Sequence, residues 1–167
     1  LISCLARFSG LFHRIVKAAN EERKLLRVHK RIDVTAAAPE LGSGLEMAVT
    51  LTLPDPASMP PTPIAIFACP GGGYSRRYFL MSFNGHENYD EALWQAGQGF
   101  IHVAIDHVGV GESSIPDLAD ISFQTMAATH DACVRAVAAS LRDGTAAEGF
   151  PPLASLFKIG MGQSMGG

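Results

Sequence analysis

The chain has 167 residues, of which 47% are apolar and 17% are charged, and its formal net charge is -3. This length and composition predict one globular domain with a sizeable core and exclude a disordered or collagen-like chain. No run of 18 uncharged apolar residues is present, so the sequence predicts no membrane-spanning helix.

Charge is distributed unevenly along the sequence. Residues 1–31 contain eight Lys or Arg and two Glu, whereas residues 32–167 contain five Lys or Arg and fourteen Asp or Glu. The excess of acidic residues over 32–167 argues against nucleic acid as a partner of this part of the chain. The three cysteines, Cys4, Cys69 and Cys133, form no CxxC pair, so we expect neither a disulfide framework nor a metal site. A reducing, cytoplasmic location is compatible with this cysteine usage.

Residues 1–25 are predicted to form a basic amphipathic helix, because apolar side chains recur there at three- and four-residue spacing. The helix is expected to pack on its own domain or on a second copy, with membrane-surface contact through residues 1–20 as the alternative. Residues 1–4 also resemble a lipoprotein cleavage box around Cys4. Leu1 in place of Met, and an end at Gly167 just after an apolar run, predict a piece of a longer protein.

The sequence from residue 26 onward predicts strands alternating with helices. Near-alternating polarity over residues 26–53 predicts a hairpin with its turn at 39–44, and the proline-rich stretch 54–63 predicts a surface connection. Three apolar runs, 64–69, 100–105 and 157–162, predict strands, and the first two are typical of strands buried in a parallel sheet. The pattern therefore indicates an α/β protein with a largely parallel sheet.

Two helices are predicted between these runs. The first is expected to start at Asn88 and Glu91, which have capping-box spacing, and to end at Gly97 and Gly99. The second is expected to end at Gly144. Its predicted core face comprises Phe123, Met126, Ala127, His130, Val134, Val137, Ala138 and Leu141.

The last apolar run leads into Gly162-Gln163-Ser164-Met165-Gly166, which fits G-x-S-x-G. In that motif a nucleophilic serine occupies a sharp turn between a strand and a helix. Gly162 and Gly166 are needed because a side chain at either position would collide as the chain folds back. The Met165 amide then points at the space above Ser164 and can stabilise a developing oxyanion.

Two more motifs directly follow the other apolar runs. Residues 69–74, Cys-Pro-Gly-Gly-Gly-Tyr, form a glycine-rich turn whose amides can face a ligand, which suits an oxyanion hole. Residues 106–113, Asp-His-Val-Gly-Val-Gly-Glu-Ser, follow the next run. Taken singly, each is also compatible with an ordinary flexible turn or strand-to-helix loop.

In this order the three motifs resemble the α/β-hydrolase superfamily of serine esterases, lipases and peptidases, over residues 26–167. The resemblance implies an α/β-hydrolase-like, mostly parallel sheet flanked by helices, of which this chain holds the N-terminal half to two-thirds. It also implies Ser164 as nucleophile, with Met165 and Gly72 as oxyanion donors and Gly73 or Tyr74 as alternatives to Gly72. The implied substrate is a small acyl compound, an ester, thioester or amide, and no cofactor is expected.

The sequence departs from the family pattern at two points. Pro70 stands where the family usually has His, so the hydrogen bonds that hold the oxyanion loop must come from elsewhere. The family's catalytic acid and histidine follow the serine, whereas only three residues follow Ser164 here. The resemblance therefore implies that both lie outside this chain, and we expect residues 1–167 alone to show little or no activity.

The histidines from residue 26 onward are not expected to supply the base. His102 lies within a predicted strand and His130 on the apolar stripe of a predicted helix, so both are interpreted as core or packing residues. His107 lies near the predicted sheet edge, within reach of the site, but a role as the base is not favoured.

Other polar and aromatic residues have simpler interpretations. Arg76 and Arg77 are expected at the surface, with binding of a substrate carboxylate as the alternative. A solvated helix pair is expected for Asp131 and Arg135, which are four residues apart. The side chains expected to pack the first helix on the sheet are Tyr89, Leu93 and Trp94.

Two other functions compete with the hydrolase. Gly160-Met161-Gly162 resembles the start of the dinucleotide-binding pattern G-x-G-x-x-G, although Met165 stands where the third glycine belongs. A non-hydrolytic or non-catalytic protein of the same fold is the other alternative, since this fold carries several chemistries.

Overall fold

A computed structural model of the chain describes residues 25–87 and 89–167. The predicted N-terminal helix and the segment around Cys4 lie outside the described residues, as does Asn88. Five strands form one sheet in the order β1-β2-β4-β3-β5. Their bounds are β1 Leu26–Asp33, β2 Glu46–Leu53, β3 Ile64–Cys69, β4 Ile101–Ile105 and β5 Phe157–Gly162.

The direction of the strands follows from their connections. The predicted hairpin is present, since β1 and β2 are antiparallel with Leu26 opposite Leu53. β2 is also antiparallel to β4, whereas β3 runs parallel to both β4 and β5. All strands except β2 therefore point the same way, and the protein has a mixed α/β fold consistent with an α/β-hydrolase-like sheet.

Two helices connect the parallel strands: α1, Glu91–Gly97, lies between β3 and β4, and α2, Phe123–Asp143, lies between β4 and β5. The main core forms where α2 packs on one face of the sheet, with Val137 and Leu141 among the same buried cluster as Leu51 and Val103. Removing each such side chain from water stabilises the fold by about 1.5–3 kcal/mol. In the part of the chain that is described, no helix is long and apolar enough to span a bilayer.

The buried face of α2 differs from the predicted one in its first half. The prediction placed Phe123, Met126 and Ala127 in the core, but Phe123 is 75% exposed. The residues that face the sheet instead are Thr125, Thr129 and Cys133. Thr129 is tolerated there because its hydroxyl donates to the Thr125 carbonyl one turn earlier, 3.0 Å away, so no polar group is left unpaired. The second half of the prediction, from Val137 to Leu141, is correct.

The packing of α1 on the sheet also differs from the prediction. Trp94 is 54% exposed, and Tyr89 and Leu93 are exposed as well. The buried residues of α1 are Ala92, Ala96 and Gly97, whose small size lets the helix approach the strands closely. The N-cap is Asp90, whose carboxylate accepts from the Leu93 amide at 2.8 Å, and not the predicted Asn88.

Candidate functional site

Three loops meet at one edge of the sheet. Because β3, β4 and β5 are parallel, the segments that follow them all leave at their carboxyl ends, where ligands of parallel sheets bind. These segments are the glycine-rich turn after β3, the loop 106–113 after β4 and the turn around Ser164 after β5. The fold therefore brings the three sequence motifs together.

Ser164 has an unusual backbone conformation. Its φ is +53°, and it is the one non-glycine residue with positive φ in the described part of the chain. An L-residue in the left-handed region is strained and persists only where the surroundings enforce it. Such strain is characteristic of the sharp strand-to-helix turn that projects a nucleophile from the sheet edge.

Gly162 and Gly166, two residues before and two after Ser164, have no space for a side chain. A Cβ on Gly162 would stand within 3 Å of the backbone of Gly166 and Gly167. A Cβ on Gly166 would stand within 3 Å of the Cys69 and Pro70 backbone. Gly162 therefore lets the chain reverse around Ser164, and Gly166 lets the reversed chain lie against the end of β3.

The glycine-rich turn lies directly over the turn that carries Ser164. The position of a Cβ on Gly71 is 3.4 Å from Cβ of Ser164, and that of a Cβ on Gly72 is 3.2 Å from Sδ of Met165. The Gln163 side chain also reaches Gly71, where a Cβ would overlap its Oε1. The absence of side chains at Gly71 and Gly72 thus lets the turn lie close to Ser164 and its neighbours.

The backbone amides around Ser164 differ in their availability. Tyr74 N donates to Gly71 O at 3.1 Å, and Gly73 has a φ of +80°, as in a type II turn. The Tyr74 amide is therefore already occupied. Over the described residues, the amides of Gly72, Gly73 and Met165 donate no hydrogen bond.

The loop 106–113 is held by a buried carboxylate. Asp106 is fully buried, and its Oδ2 accepts from the Glu112 amide at 2.9 Å, which closes the loop on itself. A Cβ on Gly111 would collide with this carboxylate. Ser113 extends the network, since its hydroxyl donates to the Asp106 carbonyl at 3.0 Å and accepts from the Ala48 amide of β2 at 2.9 Å. Asp106 and Ser113 of this motif therefore hold the loop in place and are not available for chemistry.

The prediction for Arg76 is wrong in both of its forms. Arg76 is 4% exposed, so it neither lies at the surface nor is free to bind a substrate. Its guanidinium binds the Asp106 carboxylate, Oγ1 of Thr50 at 2.9 Å and Oε2 of Glu112 at 2.7 Å. Burial beside Asp106 explains its position, because a buried charge needs a partner.

Three other charged residues, Arg77, Asp131 and Arg135, lie where the sequence predicts them. Arg77 is 77% exposed and contacts Glu112 at 3.1 Å. Bonds from Arg76, and then from Arg77, hold the pKa of Glu112 below its usual range. Asp131 and Arg135 form the predicted exposed pair on α2.

Two histidines provide a contact that the sequence did not reveal. His107 Nε2 lies 2.7 Å from the carbonyl oxygen of Pro70, and His107 Nδ1 lies 2.8 Å from His130 Nε2. His130 was predicted to be a packing residue only, but its Nε2 also lies within hydrogen-bonding distance of His107. The sequence feature that pointed to such a contact is Pro70. Because proline stands there in place of histidine, another residue has to hydrogen-bond the turn.

His102 is the core residue that the sequence predicts. It is fully buried in β4 beside the Phe79 ring, and neither ring nitrogen has a hydrogen-bond partner among the described residues. Burial lowers the pKa of His102 to about 4, so the ring is neutral near pH 7.

No general base accompanies Ser164 among the described residues. None of the histidines there is hydrogen-bonded to its hydroxyl, and His107 is committed to Pro70 and His130. The described residues also contain no group of three metal-ligating side chains. Gly160-Met161-Gly162 lies within β5 and not in a turn after it, which is not the position of a dinucleotide-binding loop.

Comparisons with known proteins give only distant likenesses. No family model matches the chain, and no curated protein matches it. An acetyl xylan esterase from Paenibacillus sp. R4 is 16% identical, with 90% of this chain and 50% of that chain covered and a TM-score of 0.38. A Bacteroides fragilis protein assigned as an acetyl xylan esterase is 19% identical, with 62% and 30% covered and a TM-score of 0.29.

This chain therefore spans about half the length of the first of these structures. Both neighbours are named as esterases.

Proposed function

We propose that this chain forms part of a serine hydrolase that cleaves a carboxylic ester, thioester or amide through an acyl-enzyme. The observation that carries the proposal is the strained Ser164, which lies at the carboxyl edge of the sheet directly beneath the glycine-rich turn. The turn passes beside Ser164 at Gly71, and its Gly72 and Gly73 amides donate no hydrogen bond among the described residues. Acyl transfer needs this combination of a nucleophile and oxyanion donors.

The proposed reaction begins with attack by Ser164 Oγ on the carbonyl carbon of the substrate. The new C–O bond displaces the carbonyl π electrons onto oxygen, and the serine proton passes to a general base. Collapse of this tetrahedral intermediate expels the alcohol, thiol or amine, which takes up the proton. Water then repeats the sequence on the acyl-serine and releases the acid.

The oxyanion is assigned to backbone amides. Met165 N follows the serine directly, and Gly72 lies next to Met165 across the site. Gly73 is the alternative to Gly72, because its amide is also unpaired, whereas that of Tyr74 is occupied. Each such donor contributes about 10²- to 10³-fold to turnover.

The base and its supporting acid are proposed to come from the full-length protein outside these residues. A serine hydroxyl is a poor nucleophile without an adjacent base, and none of the described histidines is bonded to Ser164. The family resemblance places both groups after the serine in the chain. The experiments below therefore use the full-length protein.

Replacement of the nucleophile tests the proposal. In the full-length protein, Ser164→Ala is expected to lower turnover of a p-nitrophenyl acyl ester by at least about 10⁴-fold. A fluorophosphonate should label the wild type at Ser164 and leave the variant unlabelled. Ser155→Ala provides the matched control, since Ser155 is exposed and lies just before β5.

The control variant is expected to retain activity and labelling. Unchanged turnover in folded Ser164→Ala would show that this serine is not the nucleophile. A wild type that binds a nicotinamide or flavin but is not labelled would favour dinucleotide binding instead.

A further inference from the structure

Four residues form a hydrogen-bonded chain behind the glycine-rich turn. Cys69 Sγ lies 3.4 Å from His130 Nδ1, His130 Nε2 lies 2.8 Å from His107 Nδ1, and His107 Nε2 lies 2.7 Å from Pro70 O. The chain begins and ends on consecutive residues at the end of β3. It joins β3, the loop after β4 and helix α2 at one point.

The direction of these hydrogen bonds follows from the chemistry of the end groups. A carbonyl oxygen only accepts, so His107 Nε2 must carry the proton that it donates to Pro70. Nδ1 of a neutral His107 then accepts, which makes His130 Nε2 the donor to it. His130 Nδ1 is left to accept from the Cys69 thiol. One set of tautomers therefore satisfies every member of the chain.

Burial keeps the His130 ring and the Cys69 thiol uncharged near neutral pH. Burial lowers the pKa of His130 to about 4. Burial raises the pKa of the Cys69 thiol to about 11. A neutral imidazole and an un-ionised thiol are the forms that the assigned hydrogen bonds require.

The backbone that this chain holds is intrinsically loose. Three consecutive glycines, residues 71–73, follow Pro70, and glycine loses more conformational freedom on ordering than any other residue. Within the turn, the bond from Tyr74 N to Gly71 O is the one backbone hydrogen bond of the described residues 70–74. The Pro70 carbonyl belongs to the peptide group that enters the glycines, so its orientation sets where the following amides point.

We propose that His107 and His130 are positioning residues that hold the Pro70 carbonyl, and with it the oxyanion-donating amides of the glycine-rich turn, while Cys69 completes the hydrogen bonds of His130. Both histidines line the cavity beside Met165, and the role assigned to them acts through the Pro70 carbonyl. The inference rests on the proposed function, and it assigns a role to the position where Pro70 replaces the histidine of the resembled family. Donors that are misplaced by about 1 Å lower turnover by about 10²-fold.

Variants at His107 in the full-length protein test the inference. His107→Leu removes the donor to Pro70 and should lower kcat for a p-nitrophenyl ester about 10- to 100-fold with KM changed less than threefold. His107→Gln retains an N–H near the position of Nε2 and should recover most of the lost kcat. Affinity for a boronic acid that mimics the tetrahedral intermediate should fall in parallel with kcat/KM. His86→Leu, at an exposed histidine, is the matched control and should resemble the wild type.

An NMR measurement on the wild type tests the same geometry without a variant. Nitrogen shifts should show His107 and His130 as neutral rings protonated on Nε2, with an Nε2 proton of His107 that exchanges slowly with water. This result is expected even if His107→Leu fails to fold. A His107 ring protonated on Nδ1 overturns the assignment.

The outcomes separate this inference from the proposed function. A wild type that neither hydrolyses the ester nor is labelled at Ser164 overturns the proposed function and this inference with it. A wild type that does both, together with a folded His107→Leu of unchanged kcat, overturns the positioning role alone. Equal losses in His107→Leu and His107→Gln also overturn it, because the donor to Pro70 would then be irrelevant.

Discussion

Single residues at the turn after β5 carry the strain of the site. A non-glycine residue in the left-handed region costs about 1–3 kcal/mol, and Ser164 is held there with a φ of +53°. Close backbone approach on both sides prevents relaxation, because Gly162 and Gly166 leave no space for a Cβ. The packing of its neighbours therefore holds the backbone of Ser164 in this conformation.

Alanine at two glycines of β5 tests this account. Gly162→Ala places a Cβ against the backbone of Gly166 and should lower kcat/KM of the full-length protein by at least about 100-fold. Gly160→Ala, two residues earlier on the same strand, meets no described atom within 4 Å and should retain activity. Steady-state kinetics on both variants provide the measurement, and an active Gly162→Ala would contradict the close approach.

At the scale of elements, buried charges connect the loops to the sheet. Arg76 follows the glycine-rich turn, Asp106 directly follows β4, and Thr50 lies in β2, so the Arg76 guanidinium joins three separate elements. Arg76 is also the start of a 3-10 turn, Arg76–Phe79, that packs Phe79 on the sheet. The Arg76 network therefore holds the C-terminal end of the glycine-rich turn. The contact of His107 with the Pro70 carbonyl holds its N-terminal end.

Adjacent arginines allow a matched test of this network. Arg76→Gln leaves Asp106 buried without its charged partner and should lower the free energy of unfolding by about 3–5 kcal/mol. Arg77→Gln removes an exposed arginine and should cause only a small fraction of that loss. Urea unfolding of the two variants gives both values. Equal losses of unfolding free energy in the two variants would show that the buried Arg76–Asp106 pair contributes no more than the exposed contact of Arg77.

At the scale of the whole molecule, two buried neutral histidines couple stability to pH. The pKa values of His102 and His130 are lowered to about 4 in the folded chain, mainly by burial, from an ordinary value of 6.5. Between these values the unfolded chain binds more protons than the folded one, so the free energy of unfolding rises with pH. Stability is full above about pH 6.5 and is lost as pH falls towards about 4. Glu112, whose pKa is also lowered, adds a loss in the same direction at lower pH.

His102→Leu isolates one of these contributions. The substitution removes a titrating group and two unpaired buried nitrogens, so the variant should be at least as stable as the wild type at pH 7. Its free energy of unfolding should also depend less steeply on pH between about 4 and 6.5. Denaturant unfolding at several pH values provides the comparison. An unchanged slope would mean that His102 is protonated in the folded state.

The local sequence determined the features that depend on neighbouring residues. Apolar runs predicted β3, β4 and β5, alternation predicted the hairpin of β1 and β2, and the spacing of Gly162, Ser164 and Gly166 predicted the sharp turn. These features are readable because the steric limits on a glycine or a strand act within a few residues. The same local signals placed the glycine-rich turn and the loop 106–113 at the sheet edge.

Only the tertiary structure decided which distant side chains meet. The sheet order brings the loop after β4 next to the end of β3, and α2 crosses beside it, so His107, His130 and Cys69 come into hydrogen-bonding contact. Burial of Arg76 and the rotation of α2 that exposes Phe123 depend on the same packing. Hydrogen bonds and desolvation act through space between residues far apart in the chain, and no spacing along the sequence records them.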